Sequence, residues 1–301
     1  MLASHGLLSV DASSRSASPF LKWAGGKSQL LDELARYFPS EFKRYFEPFL
    51  GGGAVYFFLQ PKQSILSDAN FELVNTYKVI ASSVDQLILK LSAFQKKTLT
   101  EELYYEIRNN QDSQRLSDID RAARFIFLNK TCYNGLYRVN SEGKFNVPFG
   151  KYDRMPRLFD ASNLRSANVI LKSAKIDAGY YNVVLNEFRA GSGDFVYLDP
   201  PYAVENGNGF TSYTKELFSW PEQEALAREF KRLARKGCHV MLSNSDTDRV
   251  RKLYSHMAKA IIPVKADRMI NCNGKERTGY RELIILSYIP EGRTLKRWIR
   301  D

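Results

Sequence analysis

Phe195-Val196-Tyr197-Leu198-Asp199-Pro200-Pro201-Tyr202 is the stretch from which the fold is read. Four β-forming residues run into a carboxylate, two prolines and an aromatic ring. A short apolar run closed by a turn signal reads as a buried strand. Pro200 and Pro201 end it, because neither has an N–H to give to a ladder. Asp199 and Tyr202 are thereby delivered to the carboxyl edge of a sheet, where open α/β folds bind ligands. Taken alone, the stretch is equally a plain strand end with a rigid turn.

The chain before it bears on that choice. Arg44 to Phe49 reads as a short strand running into Gly51-Gly52-Gly53, with a helix starting over Ala54 to Leu59. Gln63 to Leu66 is a second short strand, closed by Ser67-Asp68. Strand, glycine loop, helix, strand and acid in this order open a Rossmann-like unit. Glycines let backbone approach a ligand closely, and an acid at the end of the next strand can accept hydrogen bonds from ribose hydroxyls. The pattern implies a nucleoside-containing cofactor without identifying it, and the spacing is not that of a dinucleotide site.

Before this unit, Ser28 to Phe38 shows helical spacing with Ser28 as N-cap and Pro39 as stop. After it, Asn70 to about Phe127 is polar and helical, with amphipathic stretches at Glu101–Asn110 and Asp118–Phe127. The runs Leu136–Val139 and Lys144–Val147 flank Asn140-Ser141-Glu142-Gly143, which reads as a β-hairpin or an ordered surface loop. Strand signals return at Val169–Leu171, Phe195–Leu198 and His239–Ser243, with Ile261–Val264 and Leu283–Tyr288 as an antiparallel edge. Helix Pro221–Lys236 has proline in its first turn and Gly237 beyond its end. The domain reading is a catalytic unit over 19–71 and 166–290, interrupted by a mainly helical insert at 72–165 whose hairpin spans 129–152. Residues 1–18, with six serines, read as a disordered leader, and 291–301 as a basic tail.

With 301 residues, 44% hydrophobic and 26% charged, the composition is that of an ordinary globular protein. No apolar run approaches the roughly 18 residues of a membrane span. Three scattered cysteines without a CxxC support neither a disulfide framework nor a zinc site. The net charge of +11 is uneven: Arg121–Arg165 holds nine Lys/Arg against three Asp/Glu, and Arg249 to the end thirteen against five. Clustered positive charge suits a polyanion such as nucleic acid.

The chemistry of Asp199-Pro200-Pro201-Tyr202 fits a planar amine. The exocyclic amine of adenine is a poor nucleophile because its lone pair is delocalised into the ring. A carboxylate and a neighbouring carbonyl can accept both N–H bonds and favour the tetrahedral, nucleophilic form. An aromatic ring can stack on a base that has left the duplex, worth about 1–3 kcal/mol. Such chemistry needs no metal and no covalent nucleophile. Lys22-Trp23-Ala24-Gly25-Gly26-Lys27-Ser28 ends like a phosphate loop, but position 21 is Leu21 where that motif needs glycine. It reads instead as a basic turn able to hold an anionic group before a helix. Phe210–Tyr213 reads as a flap or a surface loop, and Ser243–Asp246 as a DNA or adenine contact or as simple turn chemistry.

In order, KWAGGK, FEPFLGGG, SD, the basic insert and DPPY resemble the Dam-type S-adenosylmethionine-dependent DNA adenine N6-methyltransferases, from about Phe20 to Tyr288. Tyr133-Asn134-Gly135-Leu136, Arg138, Asn140 and Gly143 to Gly150 resemble the recognition hairpin of members that methylate GATC. The resemblance implies a class I methyltransferase domain, a mixed seven-stranded sheet with helices on both faces, carrying an inserted recognition domain. It implies that Trp23, Lys27, Phe49, Gly51, Gly53, Asp68 and Asp199 line the S-adenosylmethionine site, the product being S-adenosylhomocysteine. Asp199, Pro200, Pro201 and Tyr202 would be the catalytic turn. Lys22, Asn129, Tyr133, Asn134, Leu136, Arg138, Asn140 and Pro148 would meet the DNA, with Lys22 and Arg138 reading guanines. A cytoplasmic, nucleoid-associated enzyme of a bacterial, archaeal or phage-infected cell is expected, monomeric in solution, with more than one copy able to occupy DNA. Ala54 stands where many members carry a hydroxyl residue. The competing readings are an RNA or protein-amide methyltransferase of the same catalytic type, and an inactive DNA-binding homologue.

Overall fold

The computed structural model describes residues 17–110, 116–202, 218–266 and 280–290. Residues 1–16 of the expected leader, the Phe210–Tyr213 segment and the 291–301 tail lie outside them. Ala17 is buried, and the Ser18 N–H donates to Asn163 Oδ1 at 2.8 Å, so packed chain already includes these two residues.

Seven strands form one sheet: β1 (Tyr45–Glu47), β2 (Ser64–Asp68), β3 (Ala174–Ala178), β4 (Phe195–Leu198), β5 (His239–Ser245), β6 (Ala260–Ala266) and β7 (Tyr280–Leu286). Their order is β3-β2-β1-β4-β5-β7-β6. The first five run parallel, with Phe46 opposite both Ile65 and Val196, and Val196 opposite Val240. β7 is antiparallel to both neighbours, pairing Leu242 with Ile285 and Ile262 with Ile284. The sheet is mixed and seven-stranded, as the resemblance implied, and the strand order reverses between β1 and β4. A crevice at the carboxyl ends is expected at such a reversal.

Alternation along β4 shows how both faces are covered. Phe195 and Tyr197 point into one cluster, with α1 (Leu31–Ala35), α2 (Ala54–Leu59), α3 (Phe71–Gln95) and α6 (Ala161–Leu171). Val196 and Leu198 point into the other, with α7 (Tyr181–Glu187), α8 (Trp220–Arg235) and α9 (Asp248–Tyr254). Successive strand residues face opposite sides, so a strand buried on both is apolar throughout. All four β4 residues are at most 1% exposed, and truncating a ring such as Phe195 would cost about 3–5 kcal/mol. A third cluster, from Leu99 to Leu158, gathers α4 (Glu101–Asn109), the end of α5 (Asp118–Thr131) and the loop after it.

Two local expectations are corrected. Val169–Leu171 is not a strand but the end of α6, where Leu164, Ala167 and Leu171 are buried and Val169 is exposed. The third strand is Ala174–Ala178, a half-exposed edge whose polar AKIDA sequence lacks an apolar run. Ser28 is not an N-cap: the chain makes a 3-10 turn at Lys27–Gln29, and α1 starts at Leu31 without a side-chain cap. The 129–152 segment takes the ordered-loop form, with isolated bridges Cys132–Phe149 and Val139–Phe145 in place of ladder strands. Among the described residues no helix is long and apolar enough to cross a membrane.

Candidate functional site

The glycine loop after β1 is clasped from both sides. Asp68, at the end of β2, accepts from Gly51 N at 3.0 Å and from Asn70 N at 2.9 Å. Burial raises its carboxyl above the ordinary value, and these N–H donors oppose the rise. Tyr77 on α3 donates its hydroxyl to Gly51 O at 3.0 Å. Gly51 and Gly53 have φ of +48° and +67°. A Cβ on Gly51 would sit 2.8 Å from the Trp23 ring, and one on Gly53 2.8 Å from Tyr77 Oη. Both positions need glycine for conformation and for space.

Trp23 lies over this loop and stacks on Tyr137, 5.9 Å between centroids and 26° between planes. The turn from Lys22 to Lys27 therefore joins the glycine loop to the loop after α5. Phe49 packs on Tyr181 at 5.2 Å and edge-on to Phe218 at 5.9 Å.

At the end of β4, Lys27 and Asp199 form an ion pair of 2.8 Å, Lys27 Nζ to Asp199 Oδ2. The same ammonium donates to Gly25 O at 2.7 Å and lies 5.0 Å from the Tyr202 ring centroid. Burial pushes the Asp199 carboxyl up to about 6, against the pull of Lys27. Asp199 Oδ1 is buried and has no hydrogen-bond partner among the described residues. A buried acceptor left unpaired costs about 1–3 kcal/mol, so it marks a place prepared for a donor.

Two polar residues that sequence reasoning missed, Gln223 and Glu282, support this turn together with Asn244 of the Ser243–Asp246 segment. Gln223 on α8 donates to Pro201 O at 2.9 Å, and Asn244 on β5 donates to Gln223 Oε1 at 2.9 Å. Both are buried to within 1%. Glu282 on β7 accepts the Tyr202 hydroxyl at 2.6 Å and lies 4.0 Å from Lys27 Nζ. The Ser243–Asp246 segment is therefore not simple turn chemistry: Ser243 to Ser245 belong to β5, with Ser243 Oγ 2.9 Å from Tyr197 Oη. Glu47, at the end of β1, is 3% exposed and accepts the Tyr45 hydroxyl at 2.8 Å; burial lifts its carboxyl to about 8.

The expected DNA-facing residues divide into two groups. Tyr133 and Pro148 are exposed at the tip, joined by Tyr133 N to Pro148 O at 2.9 Å, and Asn134 beside them is exposed with φ of +53°. The Lys22 ammonium reaches the same face, 3.2 Å from Tyr152 Oη. Arg138 is half-buried and donates to Asn146 Oδ1 at 2.8 Å. Asn140 closes the loop's turn, accepting from Glu142 N and Lys144 N. Asn129 and Leu136 are corrections. The Asn129 side chain is buried and spent on its own chain, accepting from Lys22 N at 2.9 Å and donating to Lys22 O at 2.7 Å and Gly135 O at 3.1 Å. Leu136 is 8% exposed within the third cluster. Both hold the loop after α5 in place and do not face outward. Burial, with Lys22 nearby, pulls the Lys130 ammonium down to about 8. Among the described residues no group of three or more His, Cys, Asp or Glu side chains is placed to hold a metal ion.

The family model of the D12 class N6 adenine-specific DNA methyltransferases matches residues 23–270. The chain is 44% identical to the type II methyltransferase M.MjaIII of Methanocaldococcus jannaschii over 290 residues, covering 90% of this chain and 99% of the relative. It is 38% identical to the type II methyltransferase M1.LlaDCHI of Lactococcus lactis subsp. cremoris, covering 90% and 95%. It is 35% identical to a DNA adenine methylase of Salmonella typhi, covering 89% and 94%.

Proposed function

The chain belongs to the D12 class N6 adenine-specific DNA methyltransferase family, and on that premise we propose that it methylates the N6 amine of adenine within GATC. The adenine is turned out of duplex DNA, and the methyl donor is S-adenosylmethionine. The observation that carries this reading is Asp199 Oδ1, a buried acceptor without a partner among the described residues, beside an aromatic ring at the end of a parallel strand.

The residues present fit the cofactor. The glycine cradle at Gly51 and Gly53 has no space for a Cβ, and Asp68 stands at the end of β2 as a hydroxyl acceptor. Trp23, Lys27, Gly51, Gly53, Asp68 and Asp199 would line the site, with Phe49 behind it. When bound, S-adenosylmethionine supplies an electrophilic methyl on a sulfonium.

The chain's own residues prepare the amine. Asp199 Oδ1 accepts one adenine N–H, and the Pro200 carbonyl accepts the other. Gln223 occupies the Pro201 carbonyl and so fixes the turn, while Tyr202 stacks on the base. With its carboxyl near 6, Asp199 is ionised at neutral pH, yet basic enough to take the proton the amine must lose. Lys22, Arg138, Tyr133, Asn134 and Pro148 choose the adenine. Support for GATC comes from the wording of Tyr133–Gly150.

The test is plasmid methylation in vitro, followed by digestion with nucleases that differ in sensitivity to N6-methyladenine in GATC. Protection by the wild type, lost in Asp199→Ala while DNA binding stays measurable, is expected. Near-normal turnover of Asp199→Ala would refute its role. Incorporation at other sequences would refute GATC. RNA or protein outcompeting duplex DNA as acceptor would overturn the substrate.

A further inference from the structure

Glu282 is a carboxylate that follows Arg281 and precedes the apolar run Leu283-Ile284-Ile285-Leu286 in β7, and no motif draws attention to it. Its position follows from topology. Because β7 runs against the parallel strands, its beginning lies where β5 ends, and Glu282 pairs with Ser245 on one side and Val264 on the other. The antiparallel strand thus brings a buried carboxylate to the catalytic edge, where parallel neighbours offer only their last residues.

We propose that Glu282 is a positioning residue that fixes the Tyr202 ring in the orientation on which the extruded base stacks; this rests on the adenine-methylation reading above. A tyrosine side chain turns about two bonds. Tyr202 is restrained at the backbone by Pro200 and Pro201, and at its tip by the 2.6 Å hydrogen bond from its hydroxyl to Glu282 Oε2. Hydrogen bonds to an ionised acceptor are shorter and stronger than neutral ones. Lys27 adds a third restraint, its ammonium 5.0 Å from the ring centroid, 2.8 Å from Asp199 and 4.0 Å from Glu282. Asp199, just beyond β4, and Glu282, on β7, hold one ammonium between them; the ring's hydroxyl is bonded to Glu282 and also helps to hold the Asp199 carboxyl down. Asp199 receives the amine; Glu282 aims the platform beneath the base.

The alternative role for Glu282 is to balance the charge of Lys27, and variants separate the two. Tyr202→Phe removes only the hydroxyl, Glu282→Ala removes acceptor and charge, and Glu282→Gln keeps an acceptor without charge. Each is measured for single-turnover methyl transfer, for S-adenosylhomocysteine affinity, and for fluorescence of duplex DNA carrying 2-aminopurine at the target position. Positioning predicts that Tyr202→Phe and Glu282→Ala each slow transfer by roughly 10- to 100-fold. It further predicts that the double variant is no slower than either, and that Glu282→Gln recovers most of the rate. S-adenosylhomocysteine affinity stays within about twofold, and 2-aminopurine brightens in the slow variants because the loosened ring quenches it less. Equal loss in Glu282→Gln and Glu282→Ala, or multiplicative losses in the double variant, would overturn positioning. Were Glu282→Ala to lose its cooperative melt, a slow Tyr202→Phe beside a near-normal Glu282→Gln supports the proposal, and a full-rate Tyr202→Phe refutes it. A wild-type protein that transfers no methyl to DNA adenine sinks the function and this role together. An active wild type with full-rate Glu282 variants sinks only the latter.

Discussion

Replacing Lys27 by methionine keeps much of the side-chain volume and removes the charge that faces Asp199 at 2.8 Å. Burial has already lifted the Asp199 carboxyl to about 6, and Lys27, with a smaller contribution from the Tyr202 hydroxyl, keeps it from rising further. An opposite charge at this range holds a carboxyl down by about 1–3 units, each unit being about 1.4 kcal/mol. Without it the carboxyl should titrate near about 7–9. In the role proposed for it Asp199 must be ionised to accept the amine, so activity should appear as pH rises through its pKa. At pH 7 a carboxyl near 6 is about nine-tenths ionised, and one near 8 about one-tenth. Lys27→Met should therefore lose about tenfold in kcat/KM at pH 7 and recover much of it near pH 9. The assay is kcat/KM for DNA followed from about pH 5 to 9.5, where the free enzyme's essential groups set the limbs. A uniform loss with the acid limb still near 6 would refute the reasoning and leave Lys27 as a cofactor contact alone.

Arg138→Ala should relax discrimination at one guanine at a cost of roughly 1–3 kcal/mol; equal weakening on all DNA sequences would make Arg138 a phosphate contact. Glu47→Gln tests linkage. Its folded-state pKa, about 8, lies above the ordinary 4.5, so the folded protein keeps a proton that the unfolded chain releases. Wild-type stability is then full below about 4.5 and falls as pH rises toward 8, by at most about 5 kcal/mol. Urea melts at pH 5 and pH 8 should show the variant gaining on the wild type, and parallel behaviour would exclude a raised pKa for this buried acid.

The parts of the site that were legible are those built from consecutive residues. Phe195 to Tyr202 carries strand, stop, carboxylate and ring in one stretch, and Gly51 to Asp68 carries the cradle and its clasp. β3 was not legible because an edge strand with half-exposed faces has no need of an apolar run. Val169–Leu171 misled because three apolar residues in a row look like a strand, although only Leu171 of the Leu164, Ala167, Leu171 helical stripe lies among them. Glu282 and Gln223 reach the turn through an antiparallel strand and a helix, from 80 and 22 residues away, so no local spacing announces them. An acid directly before the apolar run Leu283–Leu286 was the one available signal for Glu282. Asn129 is expected from the resemblance alone to meet DNA, and a single buried amide carries no sequence signal of its inward partners, Lys22 and Gly135.

That amide has a consequence for exchange of specificity between relatives. The Lys22 backbone is sewn to Asn129, its side chain crosses Gly135, and a Cβ there would meet it at 2.6 Å. The surface proposed to select DNA is thus assembled from two stretches of chain about a hundred residues apart. A chimaera that transplants only residues 72–165 would graft a reading head without its thumb. A graft that carries Lys22 and Trp23 with residues 72–165 would keep these contacts intact, so a change of sequence preference is expected to need both stretches together.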